Sequence, residues 1–327
     1  MKARAVVVFA LAIFLLGLTG CARVNKAVKR ALYDPGKADP AEVSLNRLPL
    51  PDPQAAAYRF LVIGHGYGST TVDDHLPDPA LLEKIPEIND LGLSMLVSLG
   101  DLVQQSIPED FDQLQRSLLD PLNVPVFNTP GNHDVVNRDA YQARFGQTYY
   151  SFRAGPAQMI FLDTEREACA IDSEQQKMLS TVLARALRDR QVEQIFIFMH
   201  KTLFFANQRL AEINQPAGLP NVMDCYASAP FAALLDETIL PAARQKPVIL
   251  FGGDVGAWAN LTPYYEKRSD ADLTMVMTGL GDNPQNAGIL VTVEGGAVRM
   301  EVYSLTGQPV EPLENYTPEY WIERVAP

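Results

Sequence analysis

A series of short apolar runs, each stopped by glycine or by a residue able to bind a metal, restricts what this chain can fold into. Arg59–Ile63 runs into Gly64-His65, and Leu93–Leu99 into Gly100-Asp101. Val124–Phe127 leads to Thr129-Pro130-Gly131-Asn132-His133-Asp134. Gln194–Met199 delivers His200, and Pro247–Phe251 delivers Gly252-Gly253-Asp254. Runs this short, bounded by turn residues, predict buried strands. Between the first three lie two helical stretches. One is 78–91, interrupted at Pro86; the other is 109–119, with Phe111, Leu114 and Leu118 at helical spacing. The βαβαβ alternation predicts a parallel sheet with helices on its faces, and places functional groups just past the carboxyl ends of the strands.

The second half continues the pattern. Gln158–Asp163 reads as a strand and 230–240 as a helix. Ser173–Arg188 is an amphipathic helix with Met178, Leu179, Val182, Leu183 and Leu187 on one face. Ser173 is its expected cap, with Gln176 three residues on. The stretches 273–278, 288–294 and 297–305 read as strands, the last two joined by a Gly295-Gly296 hairpin turn. These imply antiparallel pairing and a second sheet.

The amino terminus is a different material. Lys2 and Arg4 precede an apolar run from Ala5 to Leu18, the length of a secretory leader and short for a membrane span. Leu18-Thr19-Gly20-Cys21 then resembles the lipobox of bacterial lipoproteins, in which the cysteine is acylated and becomes the first mature residue. The alternatives are a plain signal peptide cut after Gly20 or a short membrane anchor. Ala22, rather than Asp, after the cysteine leans toward the outer membrane, on its periplasmic face. Residues 1–20 are thus read as a lipoprotein leader. Residues 21–57, with five prolines between Pro35 and Pro53, are read as a tether, part of which can pack on the adjoining domain. Residues 58–327 are read as one α/β domain, large enough to bury a substantial core.

Charge narrows the partners. The formal net charge of -12 becomes -14 once the two leader cations are removed. An acidic surface repels phosphate backbones, so nucleic acid is a poor partner. A small phosphoester can still enter where metal ions dominate the local field. Two cysteines besides Cys21, Cys169 and Cys225, are either an exported-compartment disulfide or two separate thiols. Neither has metal-finger spacing.

Three of the four histidines, His65, His133 and His200, lie at strand ends beside Asp101, Asn132 and Asp254. Hydrolysing a phosphoester needs an activated water and cancellation of charge on the phosphoryl oxygens, which one or two metal ions supply. Carboxylate, imidazole and amide oxygen make a mixed shell that suits Mn, Fe or Zn better than Ca. No Asp-rich loop has the spacing of a calcium-binding hand.

The blocks Ile63-Gly64-His65-Gly66-Tyr67, Leu99-Gly100-Asp101, Gly131-Asn132-His133-Asp134, Met199-His200 and Gly252-Gly253-Asp254-Val255-Gly256 resemble, in order, those of the calcineurin-like metallophosphoesterases, which include purple acid phosphatases. The resemblance implies a four-layer αββα sandwich of two mixed sheets flanked by helices. It implies Asp101 as the bridging carboxylate, Asn132 and His200 as ligands of the second metal, His133 as the group that protonates the leaving alkoxide, and Asp134 orienting His133. Two blocks depart from the pattern. Where Asp-x-His is usual, the chain has His65 and Tyr67; where Gly-His-x-His is usual, it has Asp254 and Gly256. The second metal's shell survives as Asp101, Asn132, His200 and Asp254. The first keeps Asp101 and His65. Asp73, Asp74, His75 and Asp282 are reserve ligands, with His75 more easily read as solvated; Lys201 reads as an exposed cation, with contact to a phosphate oxygen as the alternative. The expected function is hydrolysis of a phosphate mono- or diester by a metal-activated water, in a lipid-anchored envelope protein. The alternative is an impaired relative acting as a binding or scaffold protein.

Overall fold

The computed structural model describes residues 34–69, 76–205, 225, 228–255 and 263–325. The leader, Cys21, the reserve ligands Asp73, Asp74 and His75, Gly256 and most of the 206–229 loop lie outside these. Eleven strands among the described residues form two sheets. The first has the order β11-β10-β1-β2-β3, and the second β4-β5-β6-β7-β9-β8. In the first, β1 (Tyr58–Ile63), β2 (Met95–Ser98) and β3 (Val126–Asn128) are parallel. The antiparallel hairpin β10 (Ala287–Glu294) and β11 (Ala297–Ser304) is added beside β1. Its turn is Gly295-Gly296, with φ of 57° and 78°, the left-handed conformation that favours glycine in a two-residue hairpin. In the second, β5 (Ala157–Phe161), β6 (Gln194–Met199), β7 (Val248–Gly252) and β9 (Leu273–Met277) are parallel. Two antiparallel edge strands, β4 (Tyr150–Ala154) and β8 (Tyr264–Lys267), close it.

Strand alternation sorts the apolar side chains into three cores, and so into four layers. Phe60, Val62, Val97 and Phe127 of the first sheet meet Phe161, Phe196, Phe198 and Phe251 of the second in a central aromatic layer. Their chain neighbours point the other way. Leu61, Ile63 and Leu96 pack under the helices bearing Leu81, Ile88, Phe111 and Phe145. Ile195, Ile197 and Leu250 pack under Leu179, Val182, Phe231 and Ile239. A strand buried on both faces is apolar at every position, which is why these segments read as continuous runs. Each fully buried Phe or Leu contributes about 1.5–3 kcal/mol. The αββα sandwich expected from the sequence is the observed fold.

Two local expectations change, and a third is sharpened. The strands β4 and β8 escape the apolar-run test because they are edge strands, reading YSFRA and YYEK, with polar residues on the less covered face. The cap of helix Ser173–Arg188 is Asp172, one residue earlier than expected; its carboxylate accepts from the Glu174 and Gln175 amides. The stretch 34–50, read as part of a tether, packs on the domain. The Leu45 amide donates to the Val126 carbonyl, Asn46 exchanges bonds with Val124 and Val126, and the Ala38 amide donates to the Ser151 carbonyl. It thereby covers part of one edge of each sheet, at β3 and β4, where backbone groups would otherwise be unpaired. Cys169 and Cys225 form a disulfide across 56 residues of sequence, settling the open pair.

Candidate metal centre

Five strand tips converge at one end of the sandwich. β1, β2 and β3 present His65, Asp101 and Asn132; β6 and β7 present His200 and Asp254. The approach is close because glycine backbones replace side chains between them. A Cβ on Gly100, whose φ is +94°, would stand 2.5 Å from the Gly131 amide nitrogen and 2.6 Å from His200 Nδ1. One on Gly131 would stand 2.1 Å from Asp101 Oδ1. His65 and Asp101 themselves hold left-handed backbone, with φ of 47° and 55°. Such conformations in non-glycine residues cost about 1–3 kcal/mol each and persist where the surrounding structure enforces them.

Asp101, His200 and Asp254 each place a donor atom within 4.8 Å of the others. His200 Nε2 lies 3.5 Å from Asp101 Oδ2, 3.6 Å from Asp254 Oδ1 and 3.2 Å from Asn132 Oδ1. Donors about 2.0–2.2 Å from a shared cation stand about 3.0–3.5 Å apart, so the four fit one transition-metal ion. The ring of His200 is fixed by its Nδ1–H, which donates to the Leu99 carbonyl at 2.7 Å and leaves the Nε2 lone pair facing the carboxylates. Burial lowers the His200 pKa to about 4, so the ring is neutral and able to ligate at pH 7. Asp101 is raised well above the usual carboxylate range, by burial first and then by the charges of Asp134 and Asp254. Buried carboxylates crowded together in this way call for a cation.

The remaining expected residues fall unequally. His133 stands at the half-buried mouth, its amide donating to Asp101 Oδ1 at 3.0 Å. Its ring is held by Gln104, whose carbonyl accepts from Nδ1–H at 2.7 Å. Nε2 is then the exposed acceptor, 3.3 Å from the Tyr67 hydroxyl. The orienting role expected of Asp134 is therefore corrected. Its carboxylate is buried under the loops and accepts from the amides of Asp101, Leu102 and Gly131 at 2.8–2.9 Å, binding the second block to the third. His65 is the residue expected to share a first metal with Asp101. Its Nε2 is 3.8 Å from Asp101 Oδ2, but it stands outside the cluster of three, stacked on Tyr67 with ring centroids 4.3 Å apart. Burial lowers its pKa to about 4. Asp282 stands outside the cluster as well.

Lys201 is the residue that the sequence concealed. It is buried, and its Nζ donates to Asn132 Oδ1 at 3.0 Å and to Asp254 Oδ2 at 2.9 Å. Burial pushes the Asp254 carboxyl up, but His200 and Lys201 together outweigh it and hold it below the usual range. Glu165, whose carboxyl is pushed up to about 7 by burial, lies within electrostatic reach of Lys201 and Asp254. Adjacency to His200 was the one available signal for Lys201; a lysine beside a ligand on a buried strand end is constrained to the same pocket.

Residues 73–166 match the family described as calcineurin-like phosphoesterase. Among solved structures, the chain is similar to a dimetal phosphatase from Danio rerio, with a TM-score of 0.54 and 12% identity over 78% of this chain and 97% of that one. A Thermotoga maritima protein studied by NMR in solution is 13% identical over 76% of this chain and 99% of its own, with a TM-score of 0.32. No curated protein matches the chain. The sandwich and the order of the strand-tip residues agree with this match and support a resemblance to the calcineurin-like metallophosphoesterase superfamily. In this chain Asp101, His200 and Asp254 form a cluster that could hold a metal ion, and His65 and Tyr67 stand where the resembled family has Asp-x-His.

Proposed function

We propose that the protein is a metal-dependent phosphoesterase whose ion is held by Asp101, Asn132, His200 and Asp254. The observation that carries this is the spacing of 3.2–3.6 Å from His200 Nε2 to the other three groups. A bound Mn, Fe or Zn supplies Lewis-acid polarisation of the phosphoryl oxygens and a more acidic water. The chain does the rest. Asn132, His133 and Asp254 line the half-buried side, so substrate enters there. His133, once protonated at Nε2 as well, hands that proton to the departing alkoxide, its ring fixed by the Gln104 carbonyl. Tyr67 steadies the same nitrogen. The substrate class is a small mono- or diester; the net charge of -12 argues against nucleic acid. Cys21 would carry the lipid that anchors the chain in the envelope, a reading supported by the leader and the Leu18–Cys21 motif, and tested by palmitate labelling of wild type against Cys21→Ser.

Hydrolysis of an aryl phosphate and an aryl diester with added Mn, Fe or Zn tests the activity. Asp101→Ala and His133→Ala should each lower turnover about a hundredfold or more, the usual scale for losing a general acid. Wild-type turnover equal to that of both variants with every metal would reject the hydrolase and favour a binding protein.

A further inference from the structure

We propose that the centre is mononuclear, and that the ammonium of Lys201 takes the charge-neutralising place of a second ion beside the first; this rests on the phosphoesterase reading above. Two observations, on opposite sides of the shell, support it.

On the His65 side, a second ion has too few ligands. Sharing Asp101, it would find only His65 among the described residues, because Tyr67 spends its hydroxyl on His133, and position 256 is glycine. Among the described residues the three-ligand cluster is Asp101, His200 and Asp254 alone. One carboxylate already shared and one imidazole make a weak site for an ion that prefers four or more donors.

On the other side, a cation is already built into the chain. The Lys201 side chain is 7% exposed, and its backbone amide donates to Thr164 Oγ1 at 3.0 Å, which fixes the stem. Its Nζ reaches Asp254 Oδ2, leaving Oδ1 of the same carboxylate, 3.6 Å from His200 Nε2, turned to the ion. It also reaches Asn132 Oδ1, the amide oxygen of the shell. A buried ammonium is costly unless it is paired, and here two of its partners, Asn132 and Asp254, belong to the proposed metal shell. The positive charge is therefore held within hydrogen-bond distance of two ligand residues. It can attract a tetrahedral oxyanion as a point charge, as lysine commonly does for phosphoryl oxygens. Unlike an ion, it stays when a chelator is added.

The full chain is titrated with Mn(II), the bound ion is counted by elemental analysis, and its spectrum is recorded by electron paramagnetic resonance. Inorganic phosphate binding is then measured in wild type, Lys201→Gln and Lys201→Arg. The expected result is one ion per wild-type chain with the spectrum of an isolated Mn(II). Lys201→Gln should keep one ion and lose phosphate affinity about tenfold or more, with Lys201→Arg recovering part of it. Two ions per chain, or a spin-coupled spectrum, overturns the inference and leaves the phosphoesterase standing. No ion under any condition overturns both. One ion with phosphate affinity unchanged in Lys201→Gln overturns the lysine's role, and the wild-type ion count is informative even if that variant fails to fold.

Discussion

The two sides of the metal centre are built from the same kind of parts and have different chemistry. On one side His200 and Asp254, from adjacent parallel strands, face Asp101 and Asn132 with a buried lysine behind them. On the other, at the end of β1, the positions that carry ligands elsewhere in the superfamily hold a stacked pair, His65 and Tyr67. Both sides rest on equally rigid strands and equally tight glycine loops. On the reading proposed above, the scaffold of a two-ion site is kept while two of its donor positions turn to packing and to positioning a neighbour. Tyr67 illustrates the change, since its hydroxyl meets His133 and its ring lies 4.9 Å from that imidazole.

Removing one residue from each side tests this asymmetry most severely. Asp254→Ala takes a ligand and strands the buried Lys201, so ion affinity should fall about a hundredfold or more, whereas His65→Ala should change it only about threefold. Comparable losses in calorimetric titrations of the two variants would mean that His65 is a ligand after all. Next in size is the disulfide, which serves the fold on the His200 side and supplies no ligand. Cys169→Ser with Cys225→Ser should cost about 2–4 kcal/mol in denaturant unfolding while leaving the ion count unchanged.

A smaller effect belongs to the His65 side. Asp78 caps helix Pro79–Glu83, accepting from the Ala80 amide at 2.8 Å, and accepts from Asn286 Nδ2. Burial raises its pKa from 3.8 to about 6. An acid raised in the fold keeps its proton while the unfolded chain has lost it. Its contribution to stability is therefore greatest below pH 3.8 and declines as pH rises through about 6. Asp78→Asn should gain on wild type by at most about 3 kcal/mol between those limits, read as the difference between the two unfolding curves across pH. A difference flat with pH would show that the carboxyl titrates normally. Smallest is Tyr67→Phe, which deletes one hydrogen bond worth about 1 kcal/mol. It should lower kcat about threefold to tenfold with KM and ion content preserved; a changed ion content would return Tyr67 to the ligand set.

Much of the fold can be read along the chain for a physical reason. Strands covered on both faces must be apolar throughout, so β1, β2, β6, β7 and β9 announce themselves, as does the face of helix Ser173–Arg188. Edge strands need not be, so β4 and β8 pass unnoticed. The short helices Arg138–Phe145 and Pro318–Val325 also escape the periodicity test, because each spans only about two turns and buries few residues. The site divides in the same way. Asp101, Asn132 and His200 carry their positions in the motif order, whereas the partners of His133 and Asp134 cannot be inferred from their adjacency. Asp134 looks like the orienter of His133 because it is next in sequence, yet it turns inward to the loop amides while a carbonyl from residue 104 holds the ring.

The sequence by itself determined the βαβ alternation and the order in which ligand-type residues meet the strand ends, because each depends on side-chain type and on periods of a few residues; the αββα class followed only from the resemblance those ordered residues carry. Only the tertiary structure decided which donors share a point in space, that His65 is left beside the cluster, and that Lys201 is buried against Asn132 and Asp254. Those outcomes depend on the packing of two sheets and on backbone approaches of a few ångströms between loops about 30 to 100 residues apart, distances that local pattern does not encode.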